Sequence, residues 1–273
     1  GYKFSTKLKP SRIISLNTSI DEILLDLVSS DRVLAICTSS ADPTMSSVVD
    51  KAEKITVKLP LRSSCEVILG LQPDLVLFPE GGPREMVDSL RDLGINVYVV
   101  RSATSIKAIK EKIKEVSLVV GESEKGKVLL KNMDDKLQEV QHFIKSNKEQ
   151  QKVVLGFTFA GAFGNVKGLF HDICTHAGVI NGAAQVNLKM GERLSPEQVM
   201  NVNPDIVFLP TWSHYKSNNP QKFREDFINN EPYKNLKAVK NNEVYLLDEK
   251  YRGCGSHYVI DGIMAIHKLA YKN

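Results

Sequence analysis

Short runs of β-branched residues alternate with amphipathic stretches along this chain, a pattern typical of βαβ units around a parallel sheet. In the first half, the pattern predicts strands at 12–16, 32–37, 74–78 and 96–100. It predicts helices at 20–28, 65–71 and 84–93, and Gly94 closes the last of them. We therefore expect the first half to form one α/β lobe.

The second half repeats part of the first. Residues 64–79 align without gaps to residues 195–210, and six of the sixteen positions are identical: Ser, Glu, Pro, Asp, Val and Pro. Two further pairs match loosely, 12–16 with 152–156 and 96–100 with 243–247. A repeat of this period is not that of a solenoid. It indicates two topologically similar lobes, each with its own sheet.

One long helix is predicted between the two lobes, from 122 to 147. This segment has no Pro, and its apolar residues step by 4, 4, 3 and 4 from Leu129 to Ile144. At ~1.5 Å per residue the helix would be roughly 35 Å long. The predicted fold is therefore α/β, with lobes at 12–120 and 149–273, a linking helix at 121–148 and a ligand cleft between the lobes. The stiff helix should limit how far the cleft opens.

Composition narrows the class of protein. The 36 basic and 32 acidic residues give a formal charge of +4, without the clustered excess that nucleic-acid binding needs. Hydrophobic residues make up 42% of the chain and charged residues 25%, as in ordinary globular proteins. The longest nearly apolar run, from Val153 to Phe163, is too short to cross a bilayer. We expect a globular protein with no nucleic-acid partner.

Two features bear on the compartment. A first residue Gly rather than Met indicates a trimmed chain that has lost a signal or a lipid anchor. The four cysteines are widely spaced and form no CxxC pair, which excludes zinc-ribbon and thioredoxin motifs: Cys37, Cys65, Cys174 and Cys254. Separate thiols are the favoured interpretation, although pairing depends on compartment and geometry.

Ligands of parallel α/β sheets bind beyond the carboxyl ends of the strands, so two facing lobes would bury a ligand between their strand-end loops. These loops are predicted at 17–19, 38–44, 59–63, 79–84, 101–104, 157–167, 189–193, 210–215 and 248–257. They carry arginines and aromatic residues: Arg62, Arg84, Arg101, Arg193, Arg252, Phe159, Phe163, Trp212, Tyr215 and Tyr251. The same loops hold four other candidate contacts: Glu80, Met190, His214 and His257. Guanidinium groups pair with anionic oxygens and rings cover planar groups, so the set suits a large, flat or anionic ligand.

No catalytic or cofactor motif is complete. Residues 121–127 match the first seven positions of a P-loop, but Val128 has no hydroxyl for Mg²⁺ and the preceding segment is predicted to be a helix. We therefore predict a helix–turn–helix join there. His171 and Cys174 lie one helical turn apart without a third ligand nearby, so no zinc site is expected. No nucleophile elbow or HExxH motif is present, and no resident cofactor is expected.

The chain resembles the class III substrate-binding proteins of ABC importers, the receptors for vitamin B12, haem and ferric siderophores. The resemblance extends from about Arg12 to Ala270. It rests on the opening segment 12–23, the Pro-Asp cores at Pro73 and Pro204, Phe163-Gly-Asn followed by 170–178, and Glu243 to Asp248. It implies two Rossmann-like lobes, modest closure on the ligand, and a permease and an ATPase as partners. It also implies a monomeric, non-enzymatic protein outside the cytoplasm, either periplasmic or lipid-anchored.

The resemblance assigns a role to two glutamates. Each lobe of such proteins presents a surface glutamate to arginine pockets on the permease, and the matching positions are Glu66 and Glu197. They occupy equivalent places in the internal repeat, where two carboxylates would form a charge-assisted clamp. The alternative is a role at the helix N-termini, because Ser64 and Ser195 precede them as capping residues.

The ligand is less closely defined. Vitamin B12 receptors of this family carry tryptophans just before the glutamate helices, whereas 59–62 and 189–193 contain no aromatic residue. The arginines there resemble those of siderophore receptors. Four residues could act as haem axial ligands: Met190, His214, Tyr251 and His257. We expect an iron complex, siderophore ahead of haem, with a corrinoid next and an oxyanion such as molybdate also compatible with the fold.

A two-lobed enzyme is the alternative from another class. Some glycosyltransferases and metallocluster enzymes also place two Rossmann-like lobes around a cleft. Such an enzyme should show an acidic metal-binding or nucleotide motif in a strand-end loop, or clustered cysteines. Asp248-Glu249 is the only adjacent acidic pair at such a place, and the cysteines are scattered.

Overall fold

The computed structural model describes residues 9–189, 191–213 and 218–272. Internal contacts divide the chain into two compact units. The first unit comprises the chain up to Ala103 together with Lys107–Asp135 and Gly255–Tyr258. The second unit comprises Thr104–Ile106, Lys136–Cys254 and the chain from Val259 onward.

The sheet of the first unit has five parallel strands in the order β3-β2-β1-β4-β5. The strands are β1 (Ile13–Ser15), β2 (Val33–Cys37), β3 (Val57–Leu59), β4 (Leu75–Pro79) and β5 (Val97–Val100). The helices are α1 (Thr18–Leu27), α2 (Val49–Ala52), α3 (Cys65–Gly70), α4 (Arg84–Asp92) and α5 (Ile106–Val119). The four predicted strands and the three helices between them are confirmed. Strand β3 was not predicted, because three residues with a central lysine give no clear β pattern.

The sheet of the second unit runs β10-β9-β6-β7, and β8 pairs with β6. Its strands are β6 (Val153–Thr158), β7 (Gly161–Phe163), β8 (Ile180–Asn181), β9 (Ile206–Pro210) and β10 (Val244–Leu247). After α6 (Ser123–Ser146), its helices are α7 (Leu169–His176), α8 (Pro196–Val202), α9 (Pro220–Asn229), α10 (Lys237–Lys240), α11 (Glu249–Arg252) and α12 (Val259–Tyr271). Strands β6, β9 and β10 stand in the same relation as β1, β4 and β5, which confirms the predicted repeat.

One prediction about the second sheet is wrong. The segment 157–167 was expected to be a strand-end loop, but β6 continues to Thr158 and turns back into β7, which is antiparallel to it. Gly161 lies at φ +123°, a backbone conformation that favours glycine, and permits the tight turn. The hydroxyl of Thr158 also accepts a hydrogen bond from the backbone N–H of Ala160 at 3.1 Å.

The repeated Pro-Asp motif has the same structural task in both units. The Asp74 carboxylate accepts hydrogen bonds from the backbone N–H groups of Ser11 and Arg12, at 2.7 and 3.0 Å, just before β1. At the equivalent position, Asp205 accepts from the N–H of Val153 at 2.8 Å, at the start of β6. The two aspartates therefore fix the first strand of each sheet to its neighbour.

The predicted long helix is α6, which begins at Ser123 and ends at Ser146. The boundary between the two compact units lies inside α6, between Asp135 and Lys136. The predicted lobe boundaries at 120 and 149 therefore stay a prediction. Gly121, at φ +72°, connects α5 to α6, and the predicted helix–turn–helix join is confirmed. Within the described ranges, no helix combines the length and the apolar character needed to span a membrane.

Candidate functional site

Four predicted ligand contacts follow the carboxyl ends of parallel strands in the first unit. Arg62 comes after β3, Glu80 and Arg84 after β4, and Arg101 after β5, and all four are exposed. Strands β3 and β5 are the two edges of the sheet, four strand spacings or about 19 Å apart. The sheet therefore places these residues along one rim that is wide enough for a large ligand.

Glu80 and Arg101 directly follow the neighbouring strands β4 and β5 and are linked through the backbone. The Glu80 carboxylate accepts a hydrogen bond from the Ser102 N–H at 2.9 Å. Arg101 pairs with Glu115 of α5, which raises the pKa of the Arg101 guanidinium through a hydrogen bond and charge attraction. A shallow cavity of about 180 Å³ lies beside this pair and is also lined by Lys112. This end of the rim therefore carries both acidic and basic side chains.

The two other arginines of the rim are free to reach a ligand. Arg84 is 94% exposed at the side chain and has a weak ion pair with Asp88, at 3.8 Å along the same helix. Arg62 makes no ion pair or hydrogen bond with any residue in the described ranges. Their guanidinium groups would pair with anionic oxygens of a bound ligand.

His257 is placed by contacts inside the first unit. Its Nε2 lies 2.7 Å from Asp26 Oδ2 on α1, and both side chains are nearly buried. Tyr258 donates to the same carboxylate oxygen at 2.9 Å, and Ser256 donates to Glu22 one turn earlier on α1 at 2.6 Å. The Gly255–Tyr258 segment is thus fastened to α1 by three consecutive side chains, which leaves His257 little freedom to act as an axial ligand.

A buried carboxyl group lies near the strand ends of the same unit. Asp21 Oδ2 accepts hydrogen bonds from the Cys37 N–H at 2.8 Å and from the Ser40 hydroxyl at 2.5 Å. Burial raises the pKa of Asp21 to about 7, against the lowering effect of hydrogen bonding by the hydroxyls of Ser15 and Ser40 and the Cys37 N–H. Its Oδ1 and the hydroxyl oxygen of Ser15 are both buried without a standard hydrogen bond among the described residues.

In the second unit, Arg252 is a structural residue rather than an open contact. Only 3% of the residue is exposed, and its guanidinium is bound by the Glu249 carboxylate and the Phe157 carbonyl. It also lies over the ring of Phe163, 5.2 Å from the centroid. Phe163 in turn contacts Phe170, with the centroids 5.0 Å apart. Arg252 therefore packs against the ring of the partly exposed Phe163.

The remaining candidates of the second unit lie at the carboxyl ends of β9 and β10 and beside the β6–β7 turn. Trp212 follows β9 and Tyr251 follows β10, and both are half-buried. Arg193 is exposed, and its side chain runs alongside Gly161, where an added Cβ would lie 3.6 Å from the Arg193 Cβ. Three candidates, Met190, His214 and Tyr215, lie outside the described residues.

Several contacts at these sites were not predicted. Glu115 holds Arg101 from a helix fourteen residues further along the chain. Phe223 of α9 packs on Phe159, with the ring centroids 4.8 Å apart. Neither residue stands out in the sequence, because both lie within helices that show only the ordinary mixture of polar and apolar positions.

Metal chemistry has no visible centre in the described ranges. No group of three His, Cys, Asp or Glu side chains there is arranged to hold a metal ion. No disulfide joins any two of the four cysteines, all of which lie in the described ranges. Burial raises the pKa of the Cys174 thiol well above its ordinary value, so this residue behaves as part of the core.

The two repeated glutamates begin short helices in the two units. Ser64 caps α3 by accepting from the Val67 N–H, and Ser195 caps α8 by accepting from the Gln198 N–H. In α8 the Gln198 side chain completes a capping box with the Ser195 N–H. Glu66 and Glu197 are exposed and make no hydrogen bond or ion pair within the described part of the chain. Capping is therefore done by other residues.

These features agree with the comparison to known families. The family model described as "Periplasmic binding protein" matches residues 13–251. This chain belongs to the periplasmic binding protein family. The match includes both repeated Pro-Asp cores and both glutamate helices. The predicted resemblance to substrate-binding proteins of ABC importers is confirmed.

Two curated relatives are similar in sequence. A cobalamin-binding protein of Halobacterium salinarum is 26% identical over 200 residues, which cover 73% of this chain and 53% of that protein. The chain thus spans about half the length of this relative. The high-affinity haem uptake system protein IsdE of Staphylococcus aureus is 27% identical over 225 residues, 78% of this chain and 73% of that protein.

Solved structures share the fold. The periplasmic haem-binding protein RhuT from Roseiflexus superposes with a TM-score of 0.81 at 20% identity, over 96% of this chain and 98% of that one. A possible iron-binding protein from Staphylococcus epidermidis gives 0.80 at 19% identity, over 97% and 100%. An ABC transporter substrate-binding protein from Listeria monocytogenes gives 0.76 at 22% identity, over 97% and 100%. The predicted two-lobed α/β fold class is confirmed.

Proposed function

We propose that this chain is an extracytoplasmic substrate-binding protein that delivers an iron complex, a siderophore or haem, to an ABC importer. The observation that carries the proposal is the pair of exposed glutamates at equivalent positions of the two units. Its partners are a permease and an ATPase, and it acts as a monomer in the periplasm or anchored by lipid to the outer face of the membrane.

The docking role rests on the fact that neither glutamate makes a capping hydrogen bond of its own helix. Serines make the capping hydrogen bonds of both helices, and a glutamine completes the box in α8. Glu66 and Glu197 retain two exposed carboxylates without a partner among the residues described. The favourable position of an acid near a helix N-terminus explains either residue alone. Their exact repetition in both units favours recognition of a partner that presents two cationic groups.

The ligand role rests on the strand-end rims. In the first unit, Arg62, Arg84 and Arg101 offer guanidinium groups along about 19 Å of sheet edge. In the second unit, Phe163, Trp212 and Tyr251 offer partly exposed rings. Cationic groups and aromatic faces suit an anionic iron complex with a planar or aromatic part. Arg252 and His257 act in this proposal as supports of the rims.

A corrinoid is the second candidate ligand. The similarity to the halobacterial cobalamin-binding protein favours it. The loops before the two glutamate helices carry arginine instead of aromatic residues, which favours an iron complex. Members of the family are transport-associated binding proteins, and we propose that this chain likewise binds its ligand without turnover.

A titration tests the ligand role. The purified chain would be titrated with haemin, ferric catecholate and hydroxamate siderophores, cobalamin and molybdate, following the fluorescence of Trp212 and the absorbance of the ligand. We expect saturable, stoichiometric binding of haemin or a ferric siderophore. Tighter binding of cobalamin would replace the iron complex as the ligand, and chemical conversion of any bound compound would refute the non-enzymatic role.

An uptake assay tests the docking role. We expect the double variant Glu66→Ala/Glu197→Ala to keep ligand affinity and lose uptake through the importer, because each lost carboxylate removes a charge-assisted contact. The matched control is Glu85→Ala/Glu225→Ala, which removes one exposed helical glutamate from each unit. Wild-type uptake by the first variant would refute the docking assignment.

A further inference from the structure

Each of the two glutamate helices also exposes a large apolar side chain. Val67 of α3 is 49% exposed and Met200 of α8 is 47% exposed. The helices are only six and seven residues long. Single exposed apolar residues are common on protein surfaces. Here they recur on the two elements that carry the unpaired carboxylates.

The helix geometry places glutamate and apolar side chain on the outer surface together. In α8, Glu197 and Met200 are three residues apart and share one face, while Val199 is fully buried against the core. In α3 the equivalent core residue is Ile68, also fully buried, and the two consecutive residues before it, Glu66 and Val67, are exposed. Both helices therefore present a carboxylate beside an apolar group.

The stability of the helices does not explain these two residues. Valine at an exposed helical position is a poor helix former, because its branched side chain loses rotamer freedom. The residue equivalent to Val67 in the second unit is Gln198, so a polar side chain fits this position of the repeat. Met200 keeps 47% of its surface exposed. A partner that covers them would gain the apolar burial.

We propose that Val67 and Met200 are apolar anchors of the permease interface, each beside the glutamate of its own unit. The partner surface would carry, at each of two places, a basic group next to an apolar depression. The inference rests on the docking role proposed above. Apolar contact around an ion pair excludes water and strengthens the attraction between the charges, which is the usual arrangement at the energetic centre of an interface.

Binding measurements with the importer test the anchors. The permease–ATPase complex whose deletion abolishes ligand uptake would be placed in nanodiscs, and docking affinity would be measured at several salt concentrations. We expect Val67→Ser/Met200→Ser to weaken docking at least about tenfold, through faster dissociation, with ligand affinity unchanged. Salt dependence should persist in this variant and disappear in Glu66→Ala/Glu197→Ala, because only the latter removes charge.

Matched controls exist in both units. Leu118 of α5 is 60% exposed and Val166 after β7 is 46% exposed, and neither lies on a glutamate helix. We expect Leu118→Ser/Val166→Ser to dock like the wild type. Equal docking by the control and the anchor variant would overturn the inference and leave the glutamate clamp standing. Failure of the glutamate variant to weaken docking would instead refute the docking role itself.

Two other partners would also overturn the inference. Sedimentation would reveal a dimer of the wild type that Val67→Ser/Met200→Ser dissociates, and the surface would then bind a second copy of this chain. The wild type could also cosediment with phosphatidylglycerol vesicles that lack the importer. If Val67→Ser/Met200→Ser abolished this binding, the two residues would be assigned to a lipid surface.

Discussion

Replacing Asp21 by Asn separates the effect of a buried charge from that of the hydrogen bonds around it. An asparagine keeps the size of the side chain and an oxygen that accepts from Cys37 N–H and Ser40 Oγ, as Asp21 Oδ2 does. Its amide group can donate to the Ser15 hydroxyl, whose oxygen has no standard partner in the described part of the chain. The variant thus imitates the protonated acid at every pH.

The expected magnitude comes from the shift in pKa. Burial raises the pKa of Asp21 from its ordinary 3.8 to about 7. Between these values the folded chain holds a proton that the unfolded chain has lost, so this group stabilises the fold fully below pH 3.8 and progressively less as pH rises to 7. At about 1.4 kcal/mol per pKa unit the total loss is about 4 kcal/mol, of which about 3 kcal/mol falls between pH 5 and 8.

Urea unfolding at pH 5, 6, 7 and 8, followed by circular dichroism, measures the effect. We expect the free energy of unfolding of Asp21→Asn, relative to the wild type, to increase by about 3 kcal/mol over this range. The matched control is Asp92→Asn, at the exposed end of α4, whose difference from the wild type should stay constant. A constant or falling difference for Asp21→Asn would refute a protonated Asp21 in the folded state.

Two further changes test the packing of the second unit. Gly262→Ala would place a Cβ 2.1 Å from the Tyr251 carbonyl oxygen. We therefore expect the free energy of unfolding to fall by about 1–3 kcal/mol. A loss below about 0.5 kcal/mol would show that α11 and α12 separate easily to admit the methyl group. Asp205→Ala should lower the free energy of unfolding by about 1–3 kcal/mol, because the Val153 N–H loses its acceptor. We expect amide hydrogen exchange to become faster in β6 than in β10. Unchanged exchange in β6 would contradict the role of Asp205 in fastening this strand.

Local signals explain why much of the fold was predictable. The strands are short, buried apolar runs, and a helix such as α1 begins beside Asn17, whose side chain accepts from Ser19 N–H at 3.1 Å. The sixteen-residue repeat located two similar units because both use the same device, an aspartate that fastens the first strand. The β6–β7 hairpin was missed because its signal, a glycine at positive φ, becomes visible only when the backbone conformation is known.

The candidate site was predictable to the level of loops and not of side chains. His257 and Arg252 do lie after β10, as expected, but their polar atoms are bound within the protein. The partner of His257 is Asp26, 231 positions away along the chain. Such a contact forms only because the Gly255–Tyr258 segment returns to the first unit, and no local pattern encodes that path.

The sequence by itself determined the repeat of two similar α/β halves, most of their strands and helices, the capping serines and the repeated glutamates, because these depend on neighbouring residues and on hydrophobic periodicity. Only the tertiary structure decided which charged side chains face solvent and which form ion pairs or hydrogen bonds inside the protein. Burial and pairing of a charge depend on residues that are distant in the chain, and the cost of removing that charge from water makes the outcome depend on those partners.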